Sequence, residues 1–259
     1  MAMKKQVKAG SGRFLIFESK TAPGRRRAAH FRFLMGVATL LVLAVSSGRG
    51  ADPTAQELLQ GVRLNQGAQH RVLNGQLRCE GITTPFRLVL NGNEIRYEFT
   101  KPEQAFVLKL GDKTSRLDEI TKEGTKPVTK ARFAEPIRGT DVNCEDLALQ
   151  FLYWQDAKII GEDDLVYARY YKIELRPDPD SGSQYGSVVA WVAKKFDGVL
   201  GKAECYTPDG KLAVKLTVKS SQSLKDGARF LKLMNIERMH DGKPRDKDPT
   251  ALEILGEEK

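Results

Sequence analysis

Along much of the chain the hydrophobic pattern has a period of two. In "EIRYEFT" (94–100), Ile95, Tyr97 and Phe99 face one way and Glu94, Arg96 and Glu98 the other. In "YKIEL" (171–175), Tyr171, Ile173 and Leu175 oppose Lys172 and Glu174. In "KLAVKLTVK" (211–219), Leu212, Val214, Leu216 and Val218 alternate with Lys211, Ala213, Lys215, Thr217 and Lys219. Alternation with one wet face is the pattern of an antiparallel sheet packed on one side. Further strand-like runs are "PFRLVL" (85–90), "AFVLKL" (105–110), "SRLDEI" (115–120), "PVTKARF" (127–133), "SVVAWVAKKF" (187–196), "VLGKAECYT" (199–207), "RFLKLMNIERM" (229–239) and "TALEIL" (250–255). Turn signals separate them at Asn91-Gly92-Asn93, Gly111-Asp112, Asp197-Gly198, Pro208-Asp209-Gly210 and Asp241-Gly242. This order predicts a mainly β domain. It is an open, incomplete antiparallel β-barrel or strongly curved sheet of about eleven strands. The polar faces are rich in Lys and Glu, so the large apolar face turns inward.

Three stretches depart from the period. "TAQELLQGVRL" (54–64) reads as a helix, with Asp52 as N-cap and Pro53 in the first turn. "KIIGEDDL" (158–165) interrupts the strands. "RGTDVNCEDLALQFLYW" (138–154) is dense in large apolar side chains. There Asn143 is a candidate N-cap, and Glu145 and Asp146 fall in the first turn, where the helix dipole favours acids. Leu147, Phe151 and Trp154 recur at i, i+4 and i+7 and form one stripe, widened by Ala148 and Leu152. A short helix over 145–154 so placed lies across the mouth or concave face of the sheet. It serves either as a plug completing an ordinary core or as a lid over an apolar cavity.

Charge changes the picture only at the N-terminus. The chain carries 42 Lys and Arg against 33 Asp and Glu, net +9. Residues 1–51 hold ten of the basic residues and one acid, leaving 32 of each sign in 52–259. That balance removes a polyanionic partner such as nucleic acid from consideration. The leader has a basic cluster at 25–32, an apolar run "FLMGVATLLVLAV" at 33–45 and small residues after it. This is the order of a secretory signal peptide, cleaved between residues 46 and 52, and the apolar run is shorter than the ~20 residues of a spanning helix. The expected organisation is a signal peptide at 1–51 and a single exported domain at 52–259.

Catalytic and metal motifs do not emerge. Cys79, Cys144 and Cys205 allow one disulfide at most, and the plain reading is three buried small side chains. His70 and His240 are far apart, with no C-x-x-C or H-x-x-x-H spacing to hold zinc. Nucleophile-elbow, dinucleotide and P-loop patterns are missing. "DPDSGSQYG" (178–186) lacks the ligand spacing of a calcium loop, and Asp163 and Asp164 are adjacent acids on a solvated stretch. No cofactor, metal or enzymatic activity is expected.

Five stretches carry a resemblance: "IRGTDVNCEDLALQFLYW" (137–154), "YKIELRPDP" (171–179), "YGSVVAWV" (185–192), "AECYTPDGKLAVKLTV" (203–218) and "MNIERMHDGKPRDKDPTALEI" (234–254). In order and spacing they resemble the outer-membrane lipoprotein-sorting proteins, the family of LolA-like periplasmic lipoprotein carriers. Two positions depart from it: Cys144 stands where an aromatic is common, and "KPRDKDPT" is longer than the usual ending. The resemblance implies an open β-barrel closed by a helical lid (Leu147, Phe151, Trp154). It also implies a periplasmic carrier of acylated lipoprotein or lipid, working between an inner-membrane transporter and an outer-membrane acceptor. The expected cavity residues are Ile95, Tyr97, Phe99, Phe106, Leu108, Tyr171, Ile173, Trp191 and Leu216. The alternative within the same fold is a lipid-sensing regulatory or adaptor module acting with a membrane transporter or sigma-factor regulator.

Overall fold

The structure is a computed structural model, which describes residues 52–67, 70–165, 168–195, 198–223, 229–245 and 248–258. The expected signal peptide lies outside them. The described chain opens with helix α1 (Ala55–Gly67) and a six-strand meander. Its strands are β1 (His70–Cys79), β2 (Ile82–Asn91), β3 (Glu94–Thr100), β4 (Glu103–Leu110), β5 (Ser115–Thr121) and β6 (Gly124–Pro127). A 3-10 turn at Lys130–Arg132, the short helix α2 (Cys144–Ala148) and a second 3-10 turn at Gln150–Tyr153 follow. A second meander then runs through β7 (Asp156–Leu165), β8 (Ala168–Arg176), β9 (Ser187–Ala193), β10 (Leu200–Tyr206), β11 (Leu212–Ser223) and β12 (Arg229–His240). The two-residue β13 (Lys243–Pro244) and β14 (Thr250–Glu257) finish the chain.

All fourteen strands belong to one antiparallel sheet, in the order β6-β5-β4-β3-β2-β1-β14-β12-β11-β10-β9-β8-β7, with β13 paired to β12 alone. Each meander is built from consecutive hairpins. β14 lies between them, pairing Leu77 with Leu252 on one side and Met234 with Leu252 on the other. The sheet is therefore open at β6 and β7, and its two halves meet at the last strand. No helix among the described residues is long and apolar enough to cross a membrane.

The alternation expected from the sequence sets the two faces. Val188, Ala190 and Val192 of β9 join one large core with α1, the 144–154 segment and the inner residues of β1–β5, β8, β10–β12 and β14. Trp191 and Ala193 of the same strand point away and join Tyr170 in a small second cluster. The Phe86 ring lies over Gly75 of the neighbouring strand, where a Cβ would stand 2.5 Å from it, so a side chain there would have to displace the ring.

Several elements differ from the sequence reading. Among the described residues the count rises from about eleven strands to fourteen: β1, β6, β7 and β13 are additional, and one expected run, "PVTKARF", is not a strand. "KIIGEDDL" is β7, an edge strand exposed at almost every position. With neither face buried, it has no reason to alternate. In "PVTKARF", β6 ends at Pro127, one further bond runs from the Val128 N–H to the Leu117 carbonyl, and the chain then enters the 3-10 turn at Lys130–Arg132. α1 is capped two residues later than expected. The Thr54 hydroxyl accepts from the Glu57 N–H at 3.2 Å while the Glu57 carboxylate accepts from the Thr54 N–H at 2.7 Å, a reciprocal capping box.

Candidate functional site

The 138–154 segment is a compact unit rather than one helix. Asn143 caps α2: its side-chain oxygen accepts from the Asp146 N–H at 2.8 Å, and Asp146 accepts from the Asn143 N–H at 3.0 Å. The expected N-cap and acidic first turn are present. The helix then ends after five residues, because Leu149 adopts the left-handed conformation (φ 50°, ψ 34°) and hands the chain to the 3-10 turn. A side-chain-bearing residue there is strained. Leu147, Phe151 and Trp154 are all buried, but the break means that they do not share one helical face.

Polar contacts fasten both ends of this unit to the sheet. At its N-terminal end Arg238 of β12 donates through Nε and Nη2 to the Asp141 carbonyl, at 3.1 and 2.8 Å. The same Nη2 reaches Asp146 Oδ2 at 3.0 Å. The Tyr185 hydroxyl donates to Asp146 Oδ1 at 2.7 Å. The Thr250 hydroxyl donates to Asp141 Oδ2 at 3.2 Å, and Arg245 pairs with Asp141 Oδ1 at 2.7 Å. Glu145 accepts from the Ser183 hydroxyl and from the Gln184 N–H. At the C-terminal end Ser115 donates to the Ala148 carbonyl, Arg63 to the Leu152 carbonyl, and Gln56 to the Trp154 and Gln155 carbonyls. These donors satisfy carbonyls that short helical turns leave without partners.

Burial dominates the acid-base behaviour of this layer. It raises the Asp146 carboxyl above its ordinary value, although Arg238, Tyr185 and the Asn143 N–H pull it back. It likewise raises Glu145, against the hydrogen bonds from Ser183 and Gln184. The Cys144 thiol is pushed up to about 11, and Cys205 well above its ordinary range, so neither is a thiolate at neutral pH. All three cysteines are free and buried.

Beneath the unit lies an apolar cavity of about 250 Å³. Both halves of the sheet contribute: Leu73, Leu88, Leu90, Ile95 and Tyr97 from β1–β3, and Leu216, Val218, Leu231, Met234 and Ile236 from β11 and β12. Leu252 and Ile254 of β14 join them. Val62 and Asn65 of α1, the Gly198–Leu200 turn, and Val142, Asp146, Leu147 and Leu149 close it over. α1 comes this close because Gly198 (φ +75°) lies against Gly61, where a Cβ would stand 2.2 Å from the Gly61 carbonyl oxygen.

Of the residues expected in the cavity, Ile95, Tyr97 and Leu216 line it, and so does Leu147 of the expected lid. Burial pushes the Tyr97 hydroxyl up to about 12. Phe99, Phe106, Leu108 and Ile173 are buried in the surrounding core, with Phe99 edge-on to Phe106 at 6.4 Å, and Tyr171 packs at the margin of that core. Phe151 and Trp154 pack there too, outside the cavity wall. Trp191 stands on the opposite face of the sheet, between Lys172 and Lys202, with its indole N–H donating to Asp163 at 3.0 Å. In β9 the inward set is Val188, Ala190 and Val192, so the odd-numbered Trp191 faces out. The sequence reading did not select Met234, Ile236, Leu252 or Ile254, although the alternation of "LMNIERM" and "ALEIL" held the signal. It also missed Arg238, Arg245 and Asp141. A single charge in a strand reads as solvated, and nothing local reveals a partner about a hundred residues away.

A family model described as "Uncharacterized protein" matches residues 123–251, just under half the chain. No curated protein matches the chain by sequence. Three solved structures share the fold. A DUF1329 family protein from Desulfovibrio piger has a TM-score of 0.60 at 18% identity, over 78% of this chain and 91% of its own. A structure described as an outer membrane lipoprotein-sorting protein domain, from Vibrio parahaemolyticus, has 0.60 at 15% identity, over 78% and 90%. A LolA superfamily protein from Nitrosomonas europaea has 0.58 at 17% identity, over 78% and 92%. The open sheet with its short covering helices is thus the fold of the lipoprotein-sorting and LolA-superfamily structures.

Proposed function

We propose that this chain is an exported, non-enzymatic carrier that shelters an acyl chain of a lipid or lipoprotein in the cavity beneath the 144–154 lid. It would work in the periplasm, moving its cargo toward the outer membrane between a membrane transporter and an acceptor. The observation that carries the reading is the cavity itself: about 250 Å³, walled almost wholly by apolar side chains from both halves of the sheet. An apolar cavity of ~150 Å³ in a protein core already takes up benzene. Drug-sized pockets run to ~300–1,000 Å³, so the volume suits one aliphatic chain rather than several. Moving an acyl chain out of a bilayer forfeits about 0.8 kcal/mol per CH₂, and an apolar wall is the chemistry that offsets the loss. The fold shared with lipoprotein-sorting structures supports the same reading.

The test is uptake of a fluorescent fatty-acyl probe, followed by native mass spectrometry of protein isolated without detergent. Acyl adducts are expected on the wild-type protein. Met234 is half-buried on the cavity wall, so Met234→Trp fills the void. That variant should keep its circular dichroism spectrum while losing most probe uptake. Equal uptake by both proteins, or none by the wild type, would sink the carrier reading.

A further inference from the structure

The lining residues follow β12, and the two ends of that run differ. β12 borders the cavity from Leu231 to Ile236, five steps along the strand, or roughly 17 Å at ~3.4 Å per step. At one end lie Leu231 and the exposed Ser221 of β11. At the other, beside Ile236, lies Asp146, whose Oδ2 meets Arg238 two residues farther along β12. Asp146 is the single charged side chain on the described cavity wall, and it is 92% buried, since its relative exposure is 8%. A carboxylate has about four acceptor positions. Asp146 uses three of them, for the Asn143 N–H, the Arg238 guanidinium and the Tyr185 hydroxyl. Among the described residues no donor fills the fourth position, on Oδ1.

We propose that Asp146 makes the inner end of the cavity a hydrogen-bond acceptor site for single-chain amphiphiles that enter head first with a neutral or cationic donor group, and that it turns away the carboxylate head of a free fatty acid. The proposal rests on the reading of the cavity as an acyl-chain site. Three arrangements of one aliphatic chain can be compared. Entering methyl first, as the acyl chain of a lipoprotein must, the chain gains the apolar wall and leaves the fourth acceptor position as it is in the empty cavity. Entering with a carboxylate head, it sets two anions together in a region of low dielectric, while Arg238 is already engaged by Asp146 and the Asp141 carbonyl. A head that carries a hydroxyl, amide or ammonium donor gives Asp146 a charge-assisted hydrogen bond and leaves the apolar wall to the chain. The third arrangement alone satisfies both the carboxylate and the wall.

The experiment is displacement of Nile red from the intact protein by 1-dodecanol, dodecylammonium and dodecanoate, each below its micelle concentration. The alcohol and the ammonium should displace the dye at concentrations at least tenfold lower than dodecanoate does. In Asp146→Asn, which leaves the charge of Arg238 without its carboxylate, dodecanoate should gain at least tenfold on dodecylammonium. Equal displacement by the three chains in the wild-type protein would overturn the head-first proposal and leave the acyl-chain reading standing. Displacement by none of them would overturn both. The wild-type order decides the matter even if the variant fails to fold.

Discussion

Asp146 holds three jobs at once: it closes the capping box of α2, anchors that helix to β12 through Arg238, and forms part of the cavity wall. Removing one partner of a buried ion pair strands the other, which is worse than replacing both by apolar groups. Arg238→Met should therefore lower unfolding free energy by about 3 kcal/mol in urea titration, and adding Asp146→Asn, which removes the stranded charge and keeps an acceptor for the capping box, should restore part of the loss. An additive double variant would show that the two residues do not act as a pair. Glu145 supplies a second test, with a definite sign. Burial raises its folded carboxyl above the ordinary 4.5, so folding disfavours its charged form. The resulting penalty is absent below the unfolded value and complete above the folded one, so this group makes stability fall as pH rises through that window. Glu145→Gln should be more stable than wild type at neutral pH, and the gap should close below about pH 4.5. A gap that does not change with pH would exclude Glu145 as its source. The sequence disclosed the acids as first-turn residues of a capped helix. Their burial was not legible, because Arg238, Tyr185 and Ser183 lie tens of residues away and no local pattern ties them to α2.

Helices and strands differ in how much of their fate is local. Hairpins declared themselves: the turn at Asn91-Gly92-Asn93 joins β2 to β3, and Ile95, lining the cavity, is paired to Leu90 on the facing strand. β7 did not, since an exposed edge has no period to read. The 144–154 unit was legible as apolar and capped. Its break at Leu149 was not, because a left-handed leucine is held there by tertiary contacts and not by propensity. At this scale the cap is the exposed point. Asn143→Ala deletes the acceptor for the Asp146 N–H and should cost about 1 kcal/mol in chemical denaturation, the usual effect of losing an N-cap. It should also raise hydrogen exchange at Asp146 and Leu147 before any other part of the sheet responds. Uniform acceleration across all strands would mean that the unit opens only with global unfolding.

The described domain is two consecutive meanders sutured by β14. That suture is the part of the fold farthest from the sequence, because β14 pairs with β1 about 180 residues upstream and alternation cannot name a partner. It also explains why the cavity belongs to neither half: Leu73 and Ile254 come from one seam, Ile236 and Leu252 from the other. An occupant bridging the seam binds the assembled sheet and has no site in the separated halves, so binding and folding are linked. At a free concentration one hundred times its Kd, a ligand of this kind should add about 2.7 kcal/mol to folding stability. Melting temperature should therefore climb with the logarithm of ligand concentration once the site is saturated. The shift should vanish in Met234→Trp, whose cavity is filled. Leu252→Asp places a charge on β14 where it faces the cavity, and should both lower the melting temperature of the empty protein and abolish the ligand-dependent rise. If the ligand stabilises Leu252→Asp as much as wild type, the occupied site is not the one between the two meanders, and the link between suture and cavity fails.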